Sequence, residues 1–202
     1  LGLNKNVVEV YVKPGKKVGS PAVIEIRPNT KYMSFANNCI TGAAGSESTA
    51  SVTRELKTNN IQTFGSIPLD YKSDSPTELI TVDNPTLYVG TVFKELLIKN
   101  GIKVRGKVIA GKKPDNAELL LTHESPALSE LITQLNKPSD NYMAECLMKT
   151  IGRKFGTSGS TDAGAEVIYN WLKSFGADVN QIAIADSSGL SRRNLVSAQL
   201  LV

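Results

Sequence analysis

The sequence of 202 residues is poor in the side chains that build metal sites and disulfide networks. It holds a single histidine, His123, and two cysteines, Cys39 and Cys146, which lie far apart without a CxxC spacing. Metal sites need several such ligands at short spacings, so we expect no metal site and no cofactor. A disulfide between the two cysteines is one alternative. We favour buried free thiols, because unpaired cysteines behave as small apolar side chains.

Long apolar runs and concentrated charge are also missing. No run approaches the ~20 apolar residues that a membrane-spanning helix needs, so we expect no transmembrane segment. Lys and Arg number 23 against 19 Asp and Glu, a net charge of +4, and the basic residues are scattered along the chain. Nucleic-acid binding usually requires a concentrated basic face, so no nucleic-acid partner is expected. A weak attraction to an anionic polymer such as a cell wall is compatible with this charge.

The two ends of the sequence lack the features of a complete chain. It starts at Leu1 rather than Met and shows no signal peptide. It stops in SAQLLV, where Ser197 is a candidate N-cap for a helix of little more than one turn. We therefore expect a segment of a longer protein.

The first 70 residues have the pattern of β-strands. Partial alternation of apolar and polar residues, broken by Gly, Pro or Asn, recurs in NVVEVYVKP, PAVIEIRP, KYMSFAN, SVTRELKT and NIQTFGSIPL. This pattern predicts a small antiparallel sheet module. Residues 58–60 are a candidate hairpin turn because Asn tolerates positive φ, and the polar residues 45–51 a candidate exposed loop.

From about residue 83 the apolar period becomes helical. Asn84-Pro85 begins a helix that Asn100-Gly101 ends, and a short strand is predicted in IKVRGKVIAG. Further helices are predicted after Ser125-Pro126, after Ser139 and around residues 166–175, followed by a strand in IAIADSSGLSRRN. The fold class is α+β. We place a β-rich region with a helix near 85–100 at residues 1–122 and a mainly helical region at residues 123–202.

The triplet Ser139-Asp140-Asn141 stands where the third helix begins, just after Pro138. One interpretation is structural: Ser139 caps the helix and Asp140 favours its positive end. The other is chemical, because SDN is the second of the three motifs SxxK, SDN and KTG in serine acyltransferases that act on penicillin-like and D-Ala-D-Ala substrates. A given tripeptide occurs by chance in roughly a few per cent of chains of this length, so the triplet alone decides nothing.

The neighbourhood of the triplet carries a wider resemblance. SPALSELITQLNKPSDNYMAECLMKTIG resembles the segment around the second motif of the D-alanyl-D-alanine carboxypeptidase/endopeptidase family S13, the class C low-molecular-mass penicillin-binding proteins. Three other stretches are similar to that family in order and spacing: VKPGKKVGSPAVIEIRP, VDNPTLYVGTVFKELLIKNGIKVRG and ADSSGLSRRNLVSAQLLV. Ser187 departs from the family, in which a glycine is common there. The resemblance implies that residues 123–202 belong to a penicillin-binding/β-lactamase-like transpeptidase domain and residues 1–122 to an inserted accessory module.

Two of the three motifs are absent from the sequence. No serine is followed by Lys three residues later, and Lys149-Thr150 is followed by Ile151 rather than Gly. In the S13 family the first motif precedes a long insertion and the third follows SGLSR, so we expect both to lie outside this chain. A class A β-lactamase also carries SDN, but it has neither the β-rich insertion nor SGLSR, so that alternative fits less well.

The resemblance implies a serine-type carboxypeptidase or endopeptidase that acts on peptidoglycan stem peptides through an acyl-enzyme. Ser139 would carry a proton, Asn141 would hold the peptide, and Leu190 and Arg192 would select stems of the diaminopimelate type. β-Lactams would inhibit the complete enzyme, which would act outside the cytoplasm, in the periplasm or cell envelope. The chain alone would be inactive because the nucleophile is not in it.

Several polar side chains have simpler interpretations. Arg192 followed by Arg193 fits a solvated turn as well as a substrate contact, and both remain open. His123 fits a capping or surface role, and Asp186 fits hydrogen bonding to backbone N–H groups. Tyr142 and Met143 fit the core or rim of the domain. A non-catalytic wall-binding or assembly module on the same fold is the alternative function.

Overall fold

The computed structural model describes residues 2–201 of the chain. These residues form two compact units, which divide between Ala117 and Glu118. Within residues 2–201 the first unit holds eight strands and one long α-helix, and the second holds four α-helices. The division falls near the boundary expected at residue 122. The assignment of the two parts to an accessory module and a transpeptidase domain stays a prediction.

The first unit contains three small sheets and a helix. One sheet has the order β2-β1-β8, the second β3-β6-β5, and the third pairs β4 with β7. Their bounds are β1 Val7–Lys13, β2 Val23–Arg27, β3 Ser34–Asn37, β4 Ile40–Gly42, β5 Ser51–Arg54, β6 Asn60–Phe64, β7 Ser66–Pro68 and β8 Glu78–Thr81. Helix α1, Pro85–Lys99, begins as predicted with the Asn84 side chain accepting a hydrogen bond from Leu87 N at 3.1 Å.

Strands of the first unit pair both parallel and antiparallel, so the prediction of a purely antiparallel module was wrong. Strand β1 pairs antiparallel with β2 and β8, and β5 with β6, but β3 pairs parallel with β6 and β4 parallel with β7. The reason is the position of β5, which forms a hairpin with β6 on the edge away from β3. Alternation along a single strand cannot reveal which neighbour it takes.

The core of the first unit is centred on β1 and α1. Val8 and Val10 of β1 are fully buried, as are Ile61 of β6 and Tyr88 of α1. The Tyr88 hydroxyl donates to the Val7 carbonyl at 3.3 Å, which gives this buried polar group a partner. Apolar burial from both the sheets and the helix therefore stabilises this unit.

Two local predictions in the first unit need correction. The β5–β6 hairpin forms, but its positive φ of 61° belongs to Lys57 rather than to an Asn of residues 58–60. Residues 102–127 contain neither helix nor strand, so the strand predicted in IKVRGKVIAG is absent. That segment has the composition of a strand, but no neighbouring strand edge pairs with it.

The polar loop at residues 45–51 is exposed from 45 to 49, as predicted.

The second unit is mainly helical, as the sequence predicts. Its helices are α2 Leu128–Asn136, α3 Asn141–Phe155, α4 Thr161–Ser174 and α5 Ala198–Leu201. The strand predicted around residues 182–186 is reduced to one bridge, in which Ala183 and Leu195 exchange backbone hydrogen bonds of 2.8 and 2.9 Å. No helix within residues 2–201 combines the length and apolarity that crossing a bilayer requires.

Helices α3 and α4 pack closely because glycines lie at their contact. A Cβ atom on Gly164 would lie 2.4 Å from the Met148 carbonyl oxygen, and one on Gly152 would lie 2.7 Å from Gly164 N. Only residues without a side chain permit this approach. The pair forms a rigid support for the segment in which α3 begins.

Candidate active site

The SDN triplet lies at the start of α3, after a short connection from α2. Ser139 N donates to the Asn136 carbonyl at 3.3 Å, and Asp140 N donates to the Leu135 carbonyl at 2.8 Å. The Asp140 side chain accepts a hydrogen bond from Met143 N at 3.0 Å. Asp140 is therefore the N-cap of α3 and is 9% exposed. Its carboxylate also lies at the positive end of the helix.

The identity of the cap separates the two interpretations of the triplet. Ser139 does not cap the helix, so its structural interpretation was wrong. Both Ser139 and Asn141 are exposed, and within residues 2–201 neither side chain makes a hydrogen bond. A hydroxyl and a carboxamide thus face solvent on either side of the buried cap. Both groups are available to a ligand.

The backbone of Ser139 is strained. Its φ is +56°, in the left-handed region that β-carbon-bearing residues rarely adopt. Such a conformation costs on the order of 1–3 kcal/mol and clusters at functional sites. Here it places the hydroxyl immediately before the helix while Asp140 occupies the capping position.

The segment with SGLSR forms a loop held by its own side chains. Asp186 accepts hydrogen bonds from Gly189 N at 2.8 Å and Ser191 N at 2.6 Å. Asn194 donates to Asp186 Oδ1 at 2.6 Å and accepts from Ala185 N at 2.7 Å. The hydrogen bond from Asn194, followed by those from the backbone, lowers the pKa of the Asp186 carboxyl. Asp186 therefore organises the loop, as the sequence predicts. We name residues 186–194 the SGLSR loop.

A side chain that the sequence analysis missed connects this loop to α3. Glu145 Oε1 accepts hydrogen bonds from Ser187 N at 3.0 Å and Ser188 N at 3.1 Å. Glu145 follows Asn141 by four residues, so the two lie on one helix face about 6 Å apart along the axis. That spacing was the available signal. A glutamate that only faces solvent could have the same spacing from Asn141, so the sequence does not reveal that a loop packs against this face of the helix.

Leu190 and Arg192 both lie on the SGLSR loop and both are exposed. Leu190 is 73% exposed, and the Arg192 side chain faces solvent beside Arg193. Because Glu145 holds the start of the loop, all four candidate site residues belong to one connected part of the second unit. The substrate contact of Arg192 stays a prediction.

Ser187 occupies a position that accepts a side chain. The residue of this turn with a positive φ is Gly189, at +75°, so the turn keeps its glycine where the backbone needs one. The Ser187 hydroxyl oxygen is buried and has no hydrogen-bond partner within residues 2–201. Replacement of the family's glycine is therefore sterically tolerated and leaves one polar atom unsatisfied.

The remaining candidates take peripheral positions. His123 is exposed, and Met143 lines an open groove of about 510 Å³ between α2 and α3. Cys39 is buried and free, as predicted, and burial raises the pKa of its thiol. Cys146 is free but exposed on the same groove, so the prediction of burial was wrong for it.

Curated relatives share sequence with most of the chain. A D-alanyl-D-alanine carboxypeptidase of an Actinomadura species is 39% identical over 199 residues, which cover 97% of this chain and 36% of the relative. The D-alanyl-D-alanine carboxypeptidase DacB of Haemophilus influenzae is 29% identical over 145 residues, covering 71% of this chain and 30% of the relative. The chain thus spans about a third of the length of these relatives.

A solved structure shares the fold. Penicillin binding protein 4 (dacB) of Haemophilus influenzae, in complex with a β-lactam, matches with a TM-score of 0.73 and 25% identity over 99% of this chain and 46% of that chain. This match confirms the α+β fold predicted from the sequence. The family profile described as "D-Ala-D-Ala carboxypeptidase 3 (S13) family" matches residues 1–202. Together with the SDN triplet at the start of α3, this match shows that the chain belongs to the S13 family of D-Ala-D-Ala carboxypeptidases.

Proposed function

We propose that the protein is a serine-type D-Ala-D-Ala carboxypeptidase or endopeptidase that acts on peptidoglycan stem peptides, and that this chain supplies its second motif. One observation carries the proposal. Ser139 and Asn141 are exposed and unpaired within residues 2–201, while Asp140 between them makes the capping hydrogen bond. Since peptidoglycan lies outside the cytoplasm, the protein acts in the periplasm or cell envelope.

The proposed reaction proceeds by two acyl transfers. A serine of SxxK, which is not in this chain, attacks the carbonyl carbon of the penultimate D-Ala. The C–N bond breaks, the terminal D-Ala leaves as an amine that has gained a proton, and the stem stays as an ester on the serine. Water or another amine then takes the acyl group and restores the serine.

Ser139 acts in proton transfer. A hydroxyl donates one hydrogen bond and accepts others, so it can receive a proton from the nucleophile or its lysine while passing one to the leaving amine. The rigid start of α3 fixes the position of this relay, and the strained Ser139 backbone brings the oxygen out of the capping position. Because the helix holds the hydroxyl in place, little movement of Ser139 is needed before the proton is transferred.

Asn141 orients the substrate. Its carboxamide offers both a donor and an acceptor, which match the C=O and N–H of a peptide bond. Asn141 lies in the first turn of α3, close to Ser139. Its carboxamide is not used as the helix cap, because Asp140 has that role. The expected role is alignment of the stem peptide with the nucleophile.

Leu190 and Arg192 contribute the part of the pocket that selects the stem. A guanidinium can bind a carboxylate through two parallel hydrogen bonds, and an exposed leucine beside it can cover the aliphatic part of a long side chain. These groups fit a stem of the diaminopimelate type, whose side chain ends in a carboxylate. Their exposure on an ordered loop supports this assignment.

Labelling by a fluorescent penicillin tests the proposal in the protein expressed from its full coding sequence. We expect labelling of the native protein, because a β-lactam acylates the same serine. Ser139→Ala and Asn141→Ala should each slow acylation by about 100-fold or more, the usual scale for a lost proton-transfer or positioning group. Stopped-flow or gel-based labelling rates measure this.

Ser129→Ala is the matched control. Ser129 is an exposed serine on α2, and its replacement should leave the labelling rate unchanged. A native full-length protein that folds but neither labels nor releases D-Ala would contradict the proposal. That result would favour the alternative, a wall-binding or assembly module without catalysis. The isolated 202 residues should not label, because the nucleophile is missing.

A further inference from the structure

Glu145 joins the helix of the SDN triplet to the SGLSR loop. Its Oε1 atom accepts hydrogen bonds from the backbone N–H groups of two consecutive residues, Ser187 and Ser188, at 3.0 and 3.1 Å. The carboxylate is half-buried, which strengthens such charge-assisted hydrogen bonds relative to fully solvated ones. Because two adjacent N–H groups bind the same oxygen, these hydrogen bonds fix both the distance between α3 and the loop and the orientation of the loop.

The loop behaves as one body beyond this attachment. Asp186 and Asn194 tie its two arms together through the Gly189 and Ser191 N–H groups and the amide–carboxylate hydrogen bond. The Tyr169 hydroxyl of α4 accepts a hydrogen bond from Ile184 N at 2.8 Å and holds the segment leading into it. A displacement at Ser187 and Ser188 therefore moves Leu190 and Arg192 with it.

We propose that Glu145 is a positioning residue that determines substrate selectivity. It holds Leu190 and Arg192 in register with Ser139 and Asn141, so that the side-chain end and the scissile end of one stem peptide are bound together. This inference rests on the proposed carboxypeptidase function and deepens it. The substrates concerned are stem peptides whose side chain ends in a carboxylate.

Loss of the Glu145 carboxylate should affect some substrates and not others. An alanine leaves two N–H groups without their partner and lets the loop shift, and small misplacements of a binding group lower rates steeply. Substrates that use Leu190 and Arg192 lose this binding. Substrates that contact only the scissile-bond side, such as a small penicillin, keep theirs because α3 itself remains in place.

The test compares three substrates with the full-length protein. They are a D-Ala-D-Ala peptide whose side chain ends in a free carboxylate, the same peptide with that carboxylate amidated, and a small fluorescent penicillin. For Glu145→Ala we expect kcat/KM for the carboxylate peptide to fall by about 10-fold or more. Rates with the amidated peptide and the penicillin should stay within about 3-fold of the native protein.

Two further variants separate positioning from folding. Glu145→Gln keeps a carbonyl oxygen at the same place, so it should restore most of the selectivity for the carboxylate peptide. Glu166→Ala removes an exposed carboxylate on α4 and should change none of the three rates. If Glu145→Ala does not fold, Glu145→Gln decides the question: a smaller decrease confined to the carboxylate peptide supports the proposal.

The contrary outcomes are distinct. An equal decrease with all three substrates, or no decrease with any, in folded Glu145→Ala overturns the positioning role and leaves the proposed function standing. If only Glu145→Gln folds, a decrease that is equal for all three substrates, or absent, has the same consequence. A native full-length protein that neither labels with penicillin nor releases D-Ala overturns the proposed function itself. This inference then falls with it.

Discussion

Ser139 shows how one residue can be unfavourable for the fold and useful for the site. Its left-handed φ of +56° suits glycine, yet a hydroxyl stands there. Asp140 supplies the cap that a serine at a helix start usually provides. The sequence revealed the triplet and its position at a helix start. It could not divide the roles among the three residues, because capping depends on backbone angles that a tripeptide does not specify.

Replacement of Ser139 by glycine should separate stability from activity. Glycine adopts this φ without strain, so Ser139→Gly should keep or raise the free energy of unfolding, by up to about 1 kcal/mol, while penicillin labelling slows by about 100-fold or more. Ser139→Ala loses the same hydroxyl but keeps the strain, and should be no more stable than the native protein. Urea unfolding of both variants measures the difference. A Ser139→Gly variant clearly less stable than Ser139→Ala would contradict the strain argument.

At the scale of elements, the helices were predictable and the sheet pairings were not. Asn84-Pro85 and the apolar period located α1, and the same signals located α2 and α3. Strand pairing depends on which edge is free in three dimensions, so the parallel β3–β6 contact and the missing strand within residues 102–127 were beyond the sequence pattern. Contact between α3 and α4 likewise depends on two glycines whose closeness the sequence does not show.

Gly164→Ala should weaken the contact between α3 and α4. Alanine favours helices over glycine by roughly 1 kcal/mol, but its Cβ would lie 2.4 Å from the Met148 carbonyl oxygen and 2.9 Å from its sulfur. The clash is with backbone, so the helices must separate, and we expect a net loss of about 1–3 kcal/mol in stability. Urea unfolding midpoints measure it. Asn170→Ala, at an exposed position of α4, is the control and should be neutral or slightly stabilising; a stabilised Gly164→Ala would show that the helices separate at no cost.

For the whole molecule, the decisive feature is the division into two compact units joined by a segment without helix or strand. Residues 109–127 are exposed throughout, whereas Val108 packs close to Gly90 of α1. The sequence placed the boundary between the two regions at residue 122, whereas the compact units divide after Ala117.

Limited trypsin digestion of the full-length protein should cut this chain first after Lys112. The bond is exposed and its backbone lies in no helix or strand, which favours proteolysis. Pro114 protects the next bond, after Lys113, so Lys112→Gln should remove the early cut. Mass spectrometry of the first products measures this. Early cleavage within β1–β8 or α1–α4 instead would contradict the division into units.

The amino-acid sequence alone was enough to predict the helices, the β-rich first part, the SDN triplet at a helix start and the family to which these residues point. The helices and the β-rich part follow from local physics: capping side chains, apolar period and the conformational limits of Gly and Pro. The family follows from the resemblance of four stretches to the S13 family. Three features became visible only in the folded chain: Asp140 caps α3, Glu145 holds the SGLSR loop, and β3 and β6 run parallel. Each of these is a contact between a residue and a partner that only the folded chain brings within hydrogen-bonding distance.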